Sequence, residues 1–201
     1  MSGLISPDLN GMEAVETEWC MDMHMRLRED VTLAEIADDC AGRMLAWMQT
    51  PDVAEAVGLS VEPSLERTVR WIQQACQGHD RRAWAILLSG VHVGNVVFDQ
   101  FDSKAATARL SIYIGPPESR GSGAGSTAIY KGLARIFEER SLHKVWLTVH
   151  AENAAAIRTY LSLGFQVEGT LREAFVWNGK RIDALYMGLL RSEFRRREAS
   201  R

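Results

Sequence analysis

Ile112-Tyr113-Ile114-Gly115-Pro116-Pro117-Glu118-Ser119-Arg120-Gly121-Ser122-Gly123-Ala124-Gly125-Ser126 is the stretch whose reading decides the fold. It carries the chain from the end of an alternating run into a helix start through three glycines spaced two apart. Such glycines leave backbone N–H groups uncovered. With the positive end of a helix dipole behind them, these groups form a socket for a phosphate or pyrophosphate. Arg120 adds a cation beside it. A plain surface loop is the competing reading, because a glycine cluster alone is a weak signal. Two rival phosphate motifs fit less well. A P-loop ends in Gly-Lys-Ser/Thr, and this loop has no lysine. Gly123 to Ala128 matches the dinucleotide fingerprint, but that motif follows its strand at once, whereas here Pro116 to Ser122 intervene.

Working outward, the preceding runs Trp84–Leu88, Val91–Phe98 and Ala108–Ile114 read as three successive strands. In the last, Ala108, Leu110, Ile112 and Ile114 face one way and Arg109, Ser111 and Tyr113 the other. After the loop, Ile129, Leu133, Ile136 and Phe137 mark one face of a helix. Val145–Val149 is a further strand, Asn153 opens a helix and Gly164 closes it. Asn178-Gly179 then sets a tight hairpin turn between two strand-like runs. Upstream, Ser64 caps a helix marked by Leu65, Val69, Ile72 and Cys76 that stops at Gly78, within a helix-rich stretch that follows a short strand at Met23–Leu27. Residues 1–21 lack periodicity and read as a flexible extension, 22–193 as one α/β domain, and the basic 194–201 as a frayed tail.

Composition narrows the function classes. The 201 residues are 46% hydrophobic and 24% charged, which suits a single domain with a full core. A formal net charge of −3 lacks the basic excess of a nucleic-acid binder. No apolar run approaches the roughly 20 residues of a membrane span, and the first residues do not resemble a secretory signal, so a cytoplasmic protein is expected. Cys20, Cys40 and Cys76 and the five histidines are scattered, which leaves no metal spacing.

The second informative segment is Asn153-Ala154-Ala155-Ala156-Ile157-Arg158-Thr159-Tyr160. Two helical turns put Asn153 and Tyr160 on one face, about 10.5 Å apart along the axis, so one long ligand can touch both. Taken singly, Asn153 is a helix cap and Tyr160 a core aromatic.

Together the two segments resemble the GNAT acetyltransferases. That family's Arg/Gln-x-x-Gly-x-Gly/Ala signature is met by Arg120-Gly121-Ser122-Gly123-Ala124-Gly125, and its Asn-to-Tyr helix by Asn153 to Tyr160 with Gly164-Phe165. Glu168-Gly169-Thr170-Leu171-Arg172, the Asn178-Gly179 turn and Asp183 through Glu193 resemble the Rim-type branch, whose members acetylate protein N-termini, amino sugars and polyamines. Trp47 with Pro51-Asp52-Val53 fits that branch with Asp and Pro reversed. The resemblance implies a central mixed, mostly antiparallel sheet of about seven strands flanked by about four helices. It implies acetyl-CoA as co-substrate, no metal, and a homodimer by family habit. Pantetheine would pair with the backbone of Ile112, Tyr113 and Ile114, the pyrophosphate would rest on Gly121, Ser122, Gly123, Ala124, Gly125 and Ser126 beside Arg120, and Asn153 and Ala156 would hold the arm. Tyr160 would give a proton to the departing thiolate.

Asp99 and His150 are the candidates for the base that accepts the amine's proton, since Thr148 stands where relatives carry a Glu. A two-residue turn would place Ala174 opposite Asp183 and Arg172 diagonal to it, as a structural pair or as an acceptor contact together with Trp177. The expected acceptor is an amino sugar, free or nucleotide-linked, or a protein N-terminus. Polyamines stand behind these, because Lys180 and Arg181 would repel them. A non-catalytic CoA-binding module is the alternative that the intact Tyr160 argues against.

Overall fold

A computed structural model describes residues 27–56, 61–77, 80–177 and 179–199. The alternation in Thr107–Ile114 is realised as a strand that buries Ala108 and Leu110 on one face. Around it stand β1 (Val31–Glu35), β2 (Arg81–Leu88), β3 (Val91–Asp102), β4 (Thr107–Ile114), β5 (Lys144–His150), β6 (Gln166–Trp177) and β7 (Lys180–Leu190), in one sheet of order β1-β2-β3-β4-β5-β7-β6. Every neighbouring pair is antiparallel except β4 and β5. The mixed, mostly antiparallel seven-stranded sheet is therefore as expected.

Helices cover both faces. On one lie α4 (Ala124–Glu139), α5 (Ala154–Leu163) and α6 (Arg191–Ala199), over a core that contains Phe98, Leu110, Leu133, Ile136, Val145 and Met187. On the other, α1 (Ala41–Met48) and α3 (Leu65–Gln77) close a smaller core around Ile36, Met44, Ile72, Ala85 and Val97. The short α2 (Pro51–Ala56) follows α1. The described residues thus hold two more helices than the four expected, the extra ones being α2 and α6.

Three expectations change, and a fourth lies almost wholly outside the described residues. The helix-rich stretch opens with a strand, β1, whose Val31 and Leu33 are buried while Thr32 is exposed; five residues are too few for the alternation to stand out. The proposed strand at Met23–Leu27 lies outside the described residues except for Leu27, which is in no strand. The basic end is not frayed, because α6 buries Phe194 against Tyr130 and Phe137, and Arg197 donates to the Ser162 carbonyl at 3.0 Å. The hairpin starts in the predicted register, Trp177 opposite Lys180, but a bulge sets Arg172, Glu173 and Ala174 against Asp183 alone. Glu173 takes φ +52°, and its N–H donates to the Asp183 side chain at 2.8 Å. The carboxylate replaces a missing ladder acceptor, so Asp183 serves the bulge and not Arg172.

The β3–β4 pair is packed without slack. A Cβ on Gly94 would stand 2.2 Å from the Tyr113 carbonyl oxygen, which is backbone and cannot step aside. Gly94→Ala is therefore expected to cost about 3 kcal/mol. A thermal melt should show a midpoint roughly 6–12 °C lower; an unchanged midpoint would mean that the strands are looser than described.

Candidate active site

β4 and β5 run parallel for only three pairs, Thr107–Lys144, Ala108–Val145 and Arg109–Trp146, although the strands continue to Ile114 and His150. Beyond Arg109 and Trp146 they part. The Gly115 N–H donates to the Val93 carbonyl at 2.9 Å. In the β3–β4 register this makes 93–115, 95–113 and 97–111 the hydrogen-bonded pairs, and it turns the peptide groups of Ile112 and Ile114 away from β3 into the gap. A strand-like ligand can pair there. Tyr113, the third backbone residue expected to do so, turns its peptide groups to β3 instead.

The glycine loop follows. Gly121 and Gly123 have φ of +69° and +86°, and Gly123 is the N-cap of α4. A Cβ on Gly125 would stand 3.8 Å from Ile114, so the helix start faces the β4 side of the gap. Part of the expected socket is already in use. The Ser122 hydroxyl donates to the Ser119 carbonyl at 2.7 Å and accepts the Ala124 N–H at 3.3 Å, and the Ser126 hydroxyl donates to the Gly123 carbonyl at 3.0 Å. Arg120 is not a cation held out beside the socket. Its Nε and Nη2 donate to the carbonyls of Ile114 and Gly115 at 3.0 and 2.8 Å. The five residues between Ile114 and Arg120 bend the chain back far enough for a long guanidinium to cap the end of β4.

Across the gap, the Asn153 Oδ1 accepts the Ala156 N–H at 3.1 Å, which caps α5 and leaves the amide N–H groups of the side chain for an outside acceptor. Gly164 (φ +100°) and Phe165 close the helix with N–H bonds to Leu161 and Tyr160, both at 3.0 Å. Tyr160 packs edge-on to Phe165 with centroids 5.8 Å apart. Burial pushes its phenol up to about 12. The asparagine and tyrosine are thus brought to the same side of the sheet as the glycine loop.

The opposite side of the gap is aromatic. Trp47 of α1 lies over Gly115, where a Cβ would stand 2.1 Å from the indole, and meets His92 and Tyr113 edge-on at 4.9 and 6.2 Å. Beneath it the His92 Nε2 faces two acceptors, the Gly94 carbonyl at 3.0 Å and the Asn95 Oδ1 at 3.1 Å, so this nitrogen carries the hydrogen. The Asn95 amide donates to the Tyr113 hydroxyl. Burial lowers the His92 pKa and raises that of Tyr113, which keeps both neutral. Across the gap Trp146 stacks on Tyr186 at 5.1 Å, and His150 meets Phe175 and Trp177 at 4.6 and 5.2 Å.

The two expected bases fare differently. Both oxygens of Asp99 accept guanidinium N–H groups of Arg109, at 2.9 and 2.8 Å, at the point where β4 and β5 part. A cross-strand fork of this kind commits the carboxylate, which removes Asp99 as a lone base. His150 stands at the open end of β5, between the rings of Phe175 and Trp177. Arg172 is exposed on the bulge. Sequence reading missed Arg28, whose side chain reaches the glycine loop; the only local signal was its spacing from Asp30. It also missed Trp146 and Tyr186. Among the described residues no group of His, Cys, Asp or Glu is placed to hold a metal, and no helix is long and apolar enough to cross a membrane.

A model of the Acetyltransferase (GNAT) domain matches residues 30–166. The chain belongs to the GNAT acetyltransferases. It is an N-acetyltransferase, and acetyl-CoA is its donor. Two relatives within the family are spermidine N(1)-acetyltransferases. That of Escherichia coli K12 is 27% identical over 167 residues, 83% of this chain and 84% of the relative. That of Vibrio cholerae is 38% identical over 88 residues, 44% of this chain and only 50% of the relative. A crystal structure of the Vibrio cholerae spermidine N-acetyltransferase with CoA and spermine shares the fold at a TM-score of 0.77 and 23% identity, over 83% of this chain and 99% of that one.

The buried phenol has a pH consequence. Because its folded pKa lies above the ordinary value of about 10, the folded state holds this proton more tightly than the unfolded chain does. The stability it contributes is complete below about pH 10 and is lost as pH rises toward 12. Tyr160→Phe should therefore lose less stability than the parent between pH 9 and about 11, as followed by urea unfolding. Parallel loss would show the phenol to be solvated.

Proposed function

We propose that this enzyme acetylates a primary amine that carries at most one positive charge, an amino sugar (nucleotide-linked or free) or a protein N-terminus. The observation that carries this reading is the aromatic surface beside the gap, Trp146 on Tyr186 and His150 between Phe175 and Trp177. Rings of this kind seat planar or apolar bodies. Two carboxylates beside this surface are already paired: Asp99 holds Arg109, and Glu168 holds Lys144, whose ammonium also lies 5.6 Å from the Tyr186 ring. A polycation would meet those two cations, and the carboxylates that hold them are already committed. A polyamine acceptor is the second reading, favoured by what the relatives acetylate, and the Rim-type placement is part of the same open choice.

Acetyl-CoA supplies the thioester carbonyl and the thiolate leaving group. The Ile112 and Ile114 peptides pair with the donor's arm, and the Ile112 N–H polarises the carbonyl at which the amine attacks. The Asn153 amide donates to a carbonyl of the arm, and the backbone of Ala156 is part of the same helix start. The C–N bond forms, the C–S bond breaks, and the Tyr160 hydroxyl gives its proton to the sulfur. A phenol that is neutral throughout the physiological range is always loaded for this step. The amine's proton leaves on the other side, toward His150 through water. Pairing of the donor at Ile114 requires the Arg120 Nε to give up that carbonyl, which turns this one N–H toward the phosphate end.

Two measurements test the proposal. In a thiol-release assay, glucosamine, a nucleotide-linked amino sugar, a peptide amine and spermidine should rank with at least one of the first three about tenfold above spermidine in kcat/KM. Spermidine in first place would hand the acceptor to the second reading. Tyr160→Phe should lower kcat roughly 100-fold with the affinity for CoA retained. Full activity in this variant would return the proton to water.

A further inference from the structure

Arg28, just ahead of β1, grips the glycine loop from outside the signature. Its backbone N–H donates to the Thr127 Oγ1 in the first turn of α4 at 3.1 Å, and its Nη1 donates to the Ser122 carbonyl at 2.9 Å. The rest of the guanidinium is held in a fork by Asp30, with Nε to Oδ1 at 2.9 Å and Nη2 to Oδ2 at 2.7 Å. Asp30 is itself fixed, because its carboxylate accepts the Ser89 hydroxyl at 3.0 Å and its carbonyl accepts the Ser89 N–H at 2.8 Å in the β2–β3 turn. The stem of Arg28 passes the left-handed Gly123 at 3.6 Å from where a Cβ would stand.

The Ser122–Gly123 peptide is trans and planar, so its C=O and N–H point in opposite directions. A guanidinium that pulls the Ser122 carbonyl outward therefore drives the Gly123 N–H inward. We infer that Arg28 is a positioning residue for the donor, a clamp that turns the Ser122–Gly123 peptide so that its N–H faces the pyrophosphate of CoA. Asp30 stands against the guanidinium and offsets its charge, so the clamp works through geometry and not through attraction of the phosphate. Arg120, by contrast, belongs to the signature and lies on the β4 side of the same loop. This inference rests on the reading that Gly121 to Ser126 carry the pyrophosphate.

The test is calorimetric binding of two probes, CoA and pantetheine, which lacks the phosphates. For Arg28→Met the dissociation constant for CoA should rise about tenfold, the effect of losing roughly one charge-assisted hydrogen bond, while that for pantetheine stays within about twofold. Arg28→Lys keeps a donor for Ser122 but cannot form the fork with Asp30, so it should fall between the two. An unchanged CoA affinity in Arg28→Met, or equal losses for CoA and pantetheine, would overturn the clamp. Gly125→Glu, which places a carboxylate in the proposed socket, separates the two readings. If it weakens CoA while Arg28→Met does not, the clamp alone fails. If it leaves CoA binding intact, the loop reading fails and the clamp with it.

Discussion

Everything chemical in this protein depends on a parallel pairing that stops after three rungs. A β4–β5 ladder carried to the strand ends would have satisfied the peptides of Ile112 and Ile114 within the sheet and left no place for a ligand. The split leaves them unsatisfied by strand neighbours in the middle of a packed domain, a cost that a bound arm with amides of its own can offset. The antiparallel partners on either side, β3 for β4 and β7 for β5, hold the two lips apart without letting them fray. The Asp99–Arg109 fork sits at the point of parting and so acts as the last rivet of the closed part.

The two sides of the gap have different chemistry because they have different neighbours. On the α4–α5 side, helix starts and the half-buried Tyr160 give an environment of backbone dipoles and a neutral acid. On the other side, Trp47 seals the His92–Asn95–Tyr113 chain against β4, and the β5–β7–β6 surface remains bare of any described helix. Donor groups and acceptor groups can therefore approach the same carbon from opposite faces without competing for the same atoms.

Much of this was legible in the sequence, and for stated reasons. Helix α4 is legible because its buried positions Ile129, Leu133, Ile136 and Phe137 repeat with helical period, and α5 because both its cap and its stop are spelled in residue types with strong backbone preferences. The glycine loop is legible because glycine is needed at φ near +86°. What escaped had no local signature. Arg28 meets Ser122 across 94 positions of chain. The Arg120 guanidinium could not be assigned to carbonyls before the path of Pro116–Ser119 was known. Asp99 looked like a lone acid because its partner, Arg109, is its cross-strand neighbour only once the β3–β4 register is fixed. The hairpin failed at one place for the same kind of reason: the register that starts at Trp177 and Lys180 holds only as far as the next bulge.

That bulge bears on how the molecule meets its own copies. β6 is the outer strand of the sheet and exposes Val167, Leu171 and Val176, a profile that invites edge-to-edge joining. Its ladder is broken once between Val167 and Gly169 and again between Leu171 and Phe175. Each break adds twist and takes peptide groups out of line. A stranger strand laid along this edge finds only short matched stretches, so the border of the sheet is guarded by its own irregularity and open-ended stacking is discouraged.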